Sequence, residues 1–276
     1  MTAQTHESDL LDYVRILEGS SSFKRKQALL SILQSLDISP TLHRYRSGEN
    51  ILIQPTRKPF VAIGSHFDVV PNSPGANDNA SAMAVTLGVM RHFQAHPTQH
   101  IGVAYWIFDE EETGLKGSSA YVREHGTDGL IALANLELVG MGEQLAIWPL
   151  QPFSRGVLVD EIESSADHRG IAHHRFNQII LNTADHESFH LQGFPDAFTL
   201  TAVSQEDLEV AQHFIKAQSF DVDRQTLWSI LGKAPLVQHY HQPSDQSIHL
   251  SESSLQWVTR VLIDAIEAVD AQFGRG

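Results

Sequence analysis

The chain contains no cysteine, so it offers no disulfide framework, no thiolate nucleophile and no sulfur ligand for a metal. Any metal it binds must be held by His, Asp and Glu. Positive charge is also scarce: 19 Lys and Arg face 33 Asp and Glu, a formal net charge of −14. That balance argues against a nucleic-acid binder, which needs clustered cations to meet phosphates. The one basic run, Lys24–Arg25–Lys26, reads as the solvated face of a helix. No apolar run approaches the roughly 20 residues of a membrane span. The opening stretch MTAQTHESDLLDYVRILEGS lacks the cationic and apolar regions of a signal peptide. A cytoplasmic location with no membrane partner is therefore expected, and no fixed-period repeat or low-complexity segment is present.

With 276 residues, 42% of them hydrophobic, there is ample material for a core. Ser8 and Ser22 are placed to cap two helices, the second being FKRKQALLSILQSL, which Pro40 ends. Short β-like runs follow: NILIQP, FVAIGSHF, HIGVAYWIF, GLIALANLELV and QLAIWPL. Between the second and third lies NASAMAVTLGVMRHF, whose Ala and Leu content suits a helix. Strand, helix, strand spacing of this kind specifies a βαβ unit. Several strands are apolar at nearly every residue, as when helices cover both faces. Further on, SRGVLVDEIESSADHRG reads as a helix, RFNQIILN and DAFTLTAV as strands, and SESSLQWVTRVLIDAIEAVDAQF as a Ser-capped helix. No linker-like shift in composition interrupts the chain. The expected fold is α/β: a single domain over 1–276 with a mostly parallel mixed sheet sandwiched between helices.

Ligands of parallel α/β sheets bind beyond the carboxyl ends of the strands, and ionisable residues gather there. His66 and Asp68 follow FVAIGS; two apart on an extended backbone, they point to one side. A metal-binding His commonly gives its second ring N–H to a carboxylate, although a plain surface His–Asp contact has the same pattern. Asp109, Glu110, Glu111 and Glu112 follow GVAYWIF, and Glu137 sits late in LIALANLELV. Each acidic group alone suits a solvated turn; three strands ending this way do not. Asp78 follows the stiff turn PNSPGAN at the start of a helix, where it serves either as N-cap or as ligand. Adjacent Glu111 and Glu112 diverge, so one can grip a metal while the other faces a substrate.

Four segments in order, GSHFDVVPNSPGANDNAS, FDEEETGLKGS, NLELVG and YHQPSD, together with ADHESFHLQGFP, resemble the M28 family of co-catalytic zinc aminopeptidases. The related M20 and M42 exopeptidases share the H-x-D and Glu-Glu elements, and GANDNAS and YHQPSD favour M28. The resemblance implies a zinc-exopeptidase fold and two zinc ions, with cobalt or manganese as tolerated substitutes. By the same resemblance His66 and Glu137 hold one metal, Glu112 and His241 the other, and Asp78 bridges them. It further implies Glu111 as general base, Tyr240 as a donor to the developing oxyanion, Asp68 as the partner that orients His66, and a cis peptide at Asp78–Asn79. The implied substrate is a small peptide or amide cleaved at its N-terminus.

Glu137 and Thr183 depart from the family pattern. Glu137 stands where the aminopeptidases usually carry Asp, and Thr183 stands where some carry a substrate-contacting Arg. Glutaminyl cyclisation, carboxypeptidase or deacylase chemistry on the same scaffold, and a non-catalytic binding role are the competing readings. The cyclases carry Trp before the last His ligand, and Tyr240 argues against them; occupied ligand positions argue against the binder. His168, His173, His174, His190 and His249 read as surface or packing residues, whereas His186 is expected to edge the pocket. Phe189, Phe194 and Phe198 line an apolar pocket or pack in the core.

Overall fold

The computed structural model describes residues 9–19, 21–149, 155–176, 184–220 and 222–275. Eight strands form one mixed sheet in the order β1-β2-β4-β3-β5-β8-β6-β7. They are β1 (Thr41–Arg44), β2 (Glu49–Ile53), β3 (Phe60–His66), β4 (Gly102–Phe108), β5 (Leu130–Leu136), β6 (Gln144–Pro149), β7 (His173–Arg175) and β8 (Ala197–Val203). The centre, β4-β3-β5-β8, is parallel, and β1, β2 and β6 join by antiparallel pairing. Every residue of β3 is buried. Its side chains alternate between two cores as a pleated strand requires: Val61 and Ile63 enter one, Phe60 and Ala62 the other.

The larger core is closed by α1 (Leu10–Leu17), α2 (Ser22–Ser35), α3 (Ala82–Ala95), α5 (Val157–His168) and α10 (Glu252–Phe273). The smaller is closed by α4 (Lys116–His125) and α6 (His186–His190). Helices α7 (Gln205–Gln218), α8 (Arg224–Leu231) and α9 (Pro235–His239) lead to Tyr240 and His241. Among the described residues no helix is long and apolar enough to cross a membrane.

Local differences from the sequence expectations have physical causes. Ser8 and most of the strand expected at 175–182 lie outside the described residues, and Asp9 caps α1 through its Oδ1. Ser21, not Ser22, caps α2; the Ser22 hydroxyl instead accepts the Val69 N–H at 3.1 Å. Helix α3 begins at Ala82, because Ala76–Ser81 form a wider π-type turn with non-helical Asp78 and Asn79. Strand β1 adds an edge that the sequence reading left unassigned. The basic run is not a uniformly solvated face: Arg25 is 2% exposed. Its guanidinium donates to the carbonyls of Leu17 (2.9 Å), Pro74 (2.7 Å) and Gly75 (3.0 Å). Phe189 and Phe198 are buried in the two cores and Phe194 packs on the smaller, which decides for core packing.

Candidate metal centre

Three parallel strands deliver acid and imidazole to one place. His66 is the last residue of β3, Glu111 and Glu112 lie in the loop after β4, and Glu137 immediately follows β5. Asp78 arrives on the π-type turn, and His241 from the loop after α9. The loops reverse sharply beside these residues, with positive φ at Glu110 (55°), Leu138 (56°) and His241 itself (59°). Such backbone is uncommon for residues other than glycine and persists where the surroundings enforce it.

The carboxylate of Asp78 divides its oxygens between the two imidazoles. Its Oδ1 lies 3.3 Å from His66 Nε2, and its Oδ2 lies 3.1 Å from His241 Nε2. Each imidazole also faces a glutamate: His66 Nε2 is 3.4 Å from Glu137 Oε1, and His241 Nε2 is 2.9 Å from Glu112 Oε2. Two triads thus share Asp78, namely His66–Asp78–Glu137 and Asp78–Glu112–His241, each with donor atoms within 4.8 Å of one another. His66, Glu111 and Glu112 also converge within that distance. The peptide Asp78–Asn79 is cis, as the family resemblance implies.

Whether these donors suit a cation is tested by the atoms left over. His241 Nε2 is buried against carboxylate oxygens yet aligned with none as a hydrogen bond, and Glu112 Oε1 has no partner among the described residues. Buried polar atoms are normally paired. His66 Nε2 keeps a long 3.4 Å bond to Glu137 Oε1, but the unpaired nitrogen and oxygen around His241 and Glu112 are the donors a shared zinc-type cation requires. The residues fit the group.

Outer hydrogen bonds hold the donors in place. Asp68 lies 3.3 Å from His66 Nδ1 through Oδ1, and its own carbonyl lies 3.2 Å from the same nitrogen. Its two oxygens also accept the backbone N–H groups of Glu111 and Glu112, each at 3.0 Å. One side chain therefore fixes both the β3 ligand and the β4 loop. Asn79 Nδ2 donates to Glu137 Oε2 at 3.0 Å and to the Leu136 carbonyl at 2.9 Å. Tyr240 stacks on His241 with centroids 3.7 Å apart and packs against the Leu138 cluster.

Electrostatics separate the roles. Burial pushes Glu111 well above the usual carboxylate range; the nearby His66 pulls it down, and Glu137, Asp185 and Asp78 push it further up. Glu137 rises to about 8, chiefly through burial and against His66. For His66, burial opposes protonation, but Glu137, Asp68 and Asp78 prevail and hold the ring well above its ordinary value. Burial and the surrounding carboxylates raise the Tyr240 phenol, so its hydroxyl stays a donor.

Several contributors escaped the sequence reading. Asp245 accepts the backbone N–H groups of Asn77 at 2.7 Å and Asp78 at 3.1 Å, tying the Asp78 turn to the His241 loop. Arg25 places a buried cation among Asp78, Asp245, Asp68 and Glu112. Asp185 is fully buried, and burial lifts it to about 7 against the pull of His66 and Ser118. The sequence reading put its neighbour His186 at the pocket edge; that ring is 3% exposed, and burial holds it down to about 3. Thr183 lies outside the described residues.

The role of Asp245 has a direct test. Asp245→Ala leaves two buried N–H groups unpaired and should cost about 2–4 kcal/mol in urea unfolding. A loss below about 1 kcal/mol would show that Asp245 does not hold the turn.

An open α/β sheet with imidazoles and carboxylates converging beyond its parallel strand ends has the build of a metallohydrolase. The chain belongs to peptidase family M28, whose pattern matches residues 51–266. Among similar proteins, the probable lipoprotein aminopeptidase LpqL of Mycobacterium tuberculosis is 27% identical over 209 residues, 71% of this chain and 39% of that protein. Aminopeptidase YwaD of Bacillus subtilis is 27% identical over 221 residues, 76% of this chain and 41% of that protein. The chain thus spans about two fifths of the length of either relative. Similar solved structures include BSAP, a zinc aminopeptidase from Bacillus subtilis, with a TM-score of 0.60, 24% identity, and coverage of 79% of this chain and 49% of that one. A leucine aminopeptidase precursor from Bacteroides thetaiotaomicron gives a TM-score of 0.70 at 15% identity, covering 94% and 96%. A glutaminyl cyclase from the same organism gives 0.68 at 15%, with the same coverage. At these identities the structural likenesses establish the fold.

Proposed function

We propose that the protein is a zinc-dependent aminopeptidase that removes N-terminal residues from small peptides. The observation that carries this reading is the divided carboxylate of Asp78, with one oxygen toward each His–Glu pair. His66, Asp78 and Glu137 would hold one ion, and Asp78, Glu112 and His241 a second. Zinc bound there supplies Lewis acidity, which makes water acidic enough to ionise near neutral pH and polarises the scissile carbonyl. The chain's own residues do the rest. Glu111, adjacent to a ligand and raised by burial, takes the proton of the attacking water and returns it to the leaving amine. Tyr240 offers its O–H to the carbonyl oxygen as negative charge develops there. Asp68 keeps His66 and the Glu111–Glu112 backbone in register throughout.

The cyclase reading draws support from one fold neighbour, whereas Tyr240 in place of Trp and the second His–Glu pair favour the peptidase. The test is metal content together with turnover of aminoacyl-4-nitroanilides, blocked peptides and N-terminal glutaminyl peptides, with and without added zinc. Two equivalents and hydrolysis of free-amine substrates are expected, with activity abolished by chelation and restored by zinc. One equivalent with cyclisation of glutaminyl peptides would replace the peptidase by the cyclase. No bound metal would leave a binding domain.

A further inference from the structure

Helix α6 consists of His186, Glu187, Ser188, Phe189 and His190. Residues i and i+4 of a helix lie one above the other on a single face, so the His-Glu-x-x-His spacing sets two imidazoles side by side. Their ring centroids are 5.0 Å apart, and donor atoms of His186, Glu187 and His190 all lie within 4.8 Å of one another. None of the three belongs to the cluster around Asp78.

The hydrogen bonds hold each ring at one nitrogen and leave the other nitrogen of His190 unpaired among the described residues. His190 gives its Nε2–H to the Ala197 carbonyl at 2.6 Å. In the neutral ring Nδ1 then carries a bare lone pair, and that nitrogen is buried without a partner among the described residues. His186 is held through Nδ1, 2.6 Å from the Thr199 hydroxyl, which also accepts Asn135 Nδ2 at 3.2 Å. Strand β8 thus grips each ring at one nitrogen, which is how metal-binding imidazoles are oriented by their surroundings. Among the described residues the Glu187 carboxylate has no hydrogen bond or ion pair.

A comparable cluster shows what the opposite arrangement looks like. His43, Glu124 and His125 also bring donor atoms within 4.8 Å. There Asn50 is fixed by accepting the Asp109 N–H on Oδ1, so its Nδ2 must donate to His43 Nδ1 at 3.0 Å. The remaining nitrogen, Nε2, then carries the proton and bonds Glu124 at 2.9 Å. That cluster is satisfied as a hydrogen-bonded pair, whereas α6 keeps a buried lone pair unspent.

We propose that α6 is a separate metal site, in which His186, Glu187 and His190 take one transition-metal dication of the zinc or nickel type. Two imidazoles and a carboxylate are a borderline donor set that suits these ions over calcium or magnesium. The site does not depend on the peptidase reading. Because Asp185 precedes the helix and acts electrostatically on Glu111, an ion on α6 would anchor a wall of the neighbouring centre.

Equilibrium dialysis against zinc chloride, followed by metal analysis, tests the proposal. In the His66→Ala/His241→Ala double variant, which lacks both imidazoles of the Asp78 cluster, one equivalent should still bind. Adding His190→Ala should remove it. A folded double variant that binds none, or a triple variant that keeps its equivalent, overturns the site. Should circular dichroism show the double variant unfolded, the unmodified chain and Glu187→Gln decide, since the half-buried Glu187 carboxylate bonds none of the described residues. With free zinc held near the dissociation constant of the α6 site, the unmodified chain should take up more zinc than the variant, whose affinity at α6 is weakened roughly tenfold or more. Identical titrations overturn the proposal.

Discussion

Glu111→Gln should retain its full complement of metal while losing about 10²–10⁴-fold in kcat, the usual worth of a positioned general base. The substitution is nearly isosteric, and the Glu111 backbone stays anchored because its N–H is bound by Asp68. What disappears is proton affinity. Burial, with Glu137, Asp185 and Asp78 nearby, makes this carboxylate more basic than an exposed one, and an amide cannot take a proton from water. Glu112→Gln is the informative contrast. Its Oε2 sits 2.9 Å from His241 Nε2 and its Oε1 is unpartnered among the described residues, so that variant should lose metal as well as turnover. Rates on aminoacyl-4-nitroanilides and metal content, measured on the same preparations, separate the two. Undiminished turnover in Glu111→Gln would remove Glu111 from the chemistry.

The second large effect is on stability. Arg25→Met should cost about 3–5 kcal/mol, the range for removing one partner from a buried charge group. Burial works against the charge of this guanidinium, and Asp78, Asp245, Asp68 and Glu112 sustain it. Methionine fills much of the volume but abandons the Leu17, Pro74 and Gly75 carbonyls and removes one cation from among the acids. Lysine should rescue only part of the loss, because one ammonium cannot match the spread of a planar fork over several carbonyls. Urea unfolding of chelated protein measures the difference; a cost under about 1 kcal/mol would show that the acids are held apart by other means.

Much of this centre was readable in the chain because it sits where apolar runs stop. FVAIGS ends in His66, GVAYWIF runs into Glu111 and Glu112, and LIALANL stops at Glu137; burial on both faces makes each strand apolar and each ending conspicuous. Arg25 could not be read this way. In KRK it looks like its neighbours, and only carbonyls at 17, 74 and 75 decide that it goes inside. Asp245 lay within a recognised motif, but its partners are more than 160 residues away and carry no local signal. Strand β1 escaped notice because four residues with only His43 buried make no alternation to detect. Helices α7 and α8 carry mixed, half-exposed faces, which blurs the apolar stripe.

The tie between Asp245 and the amides of Asn77 and Asp78 makes the two ends of this protein report on each other. Those amide protons exchange with solvent only when the Asp245 carboxylate lets go, so their protection gauges how often the 236–245 segment lifts away. Any event that frees the late segment strips this tie from the early turn, which then hangs on Arg25 at the Pro74 and Gly75 carbonyls and on Asn79 at Glu137.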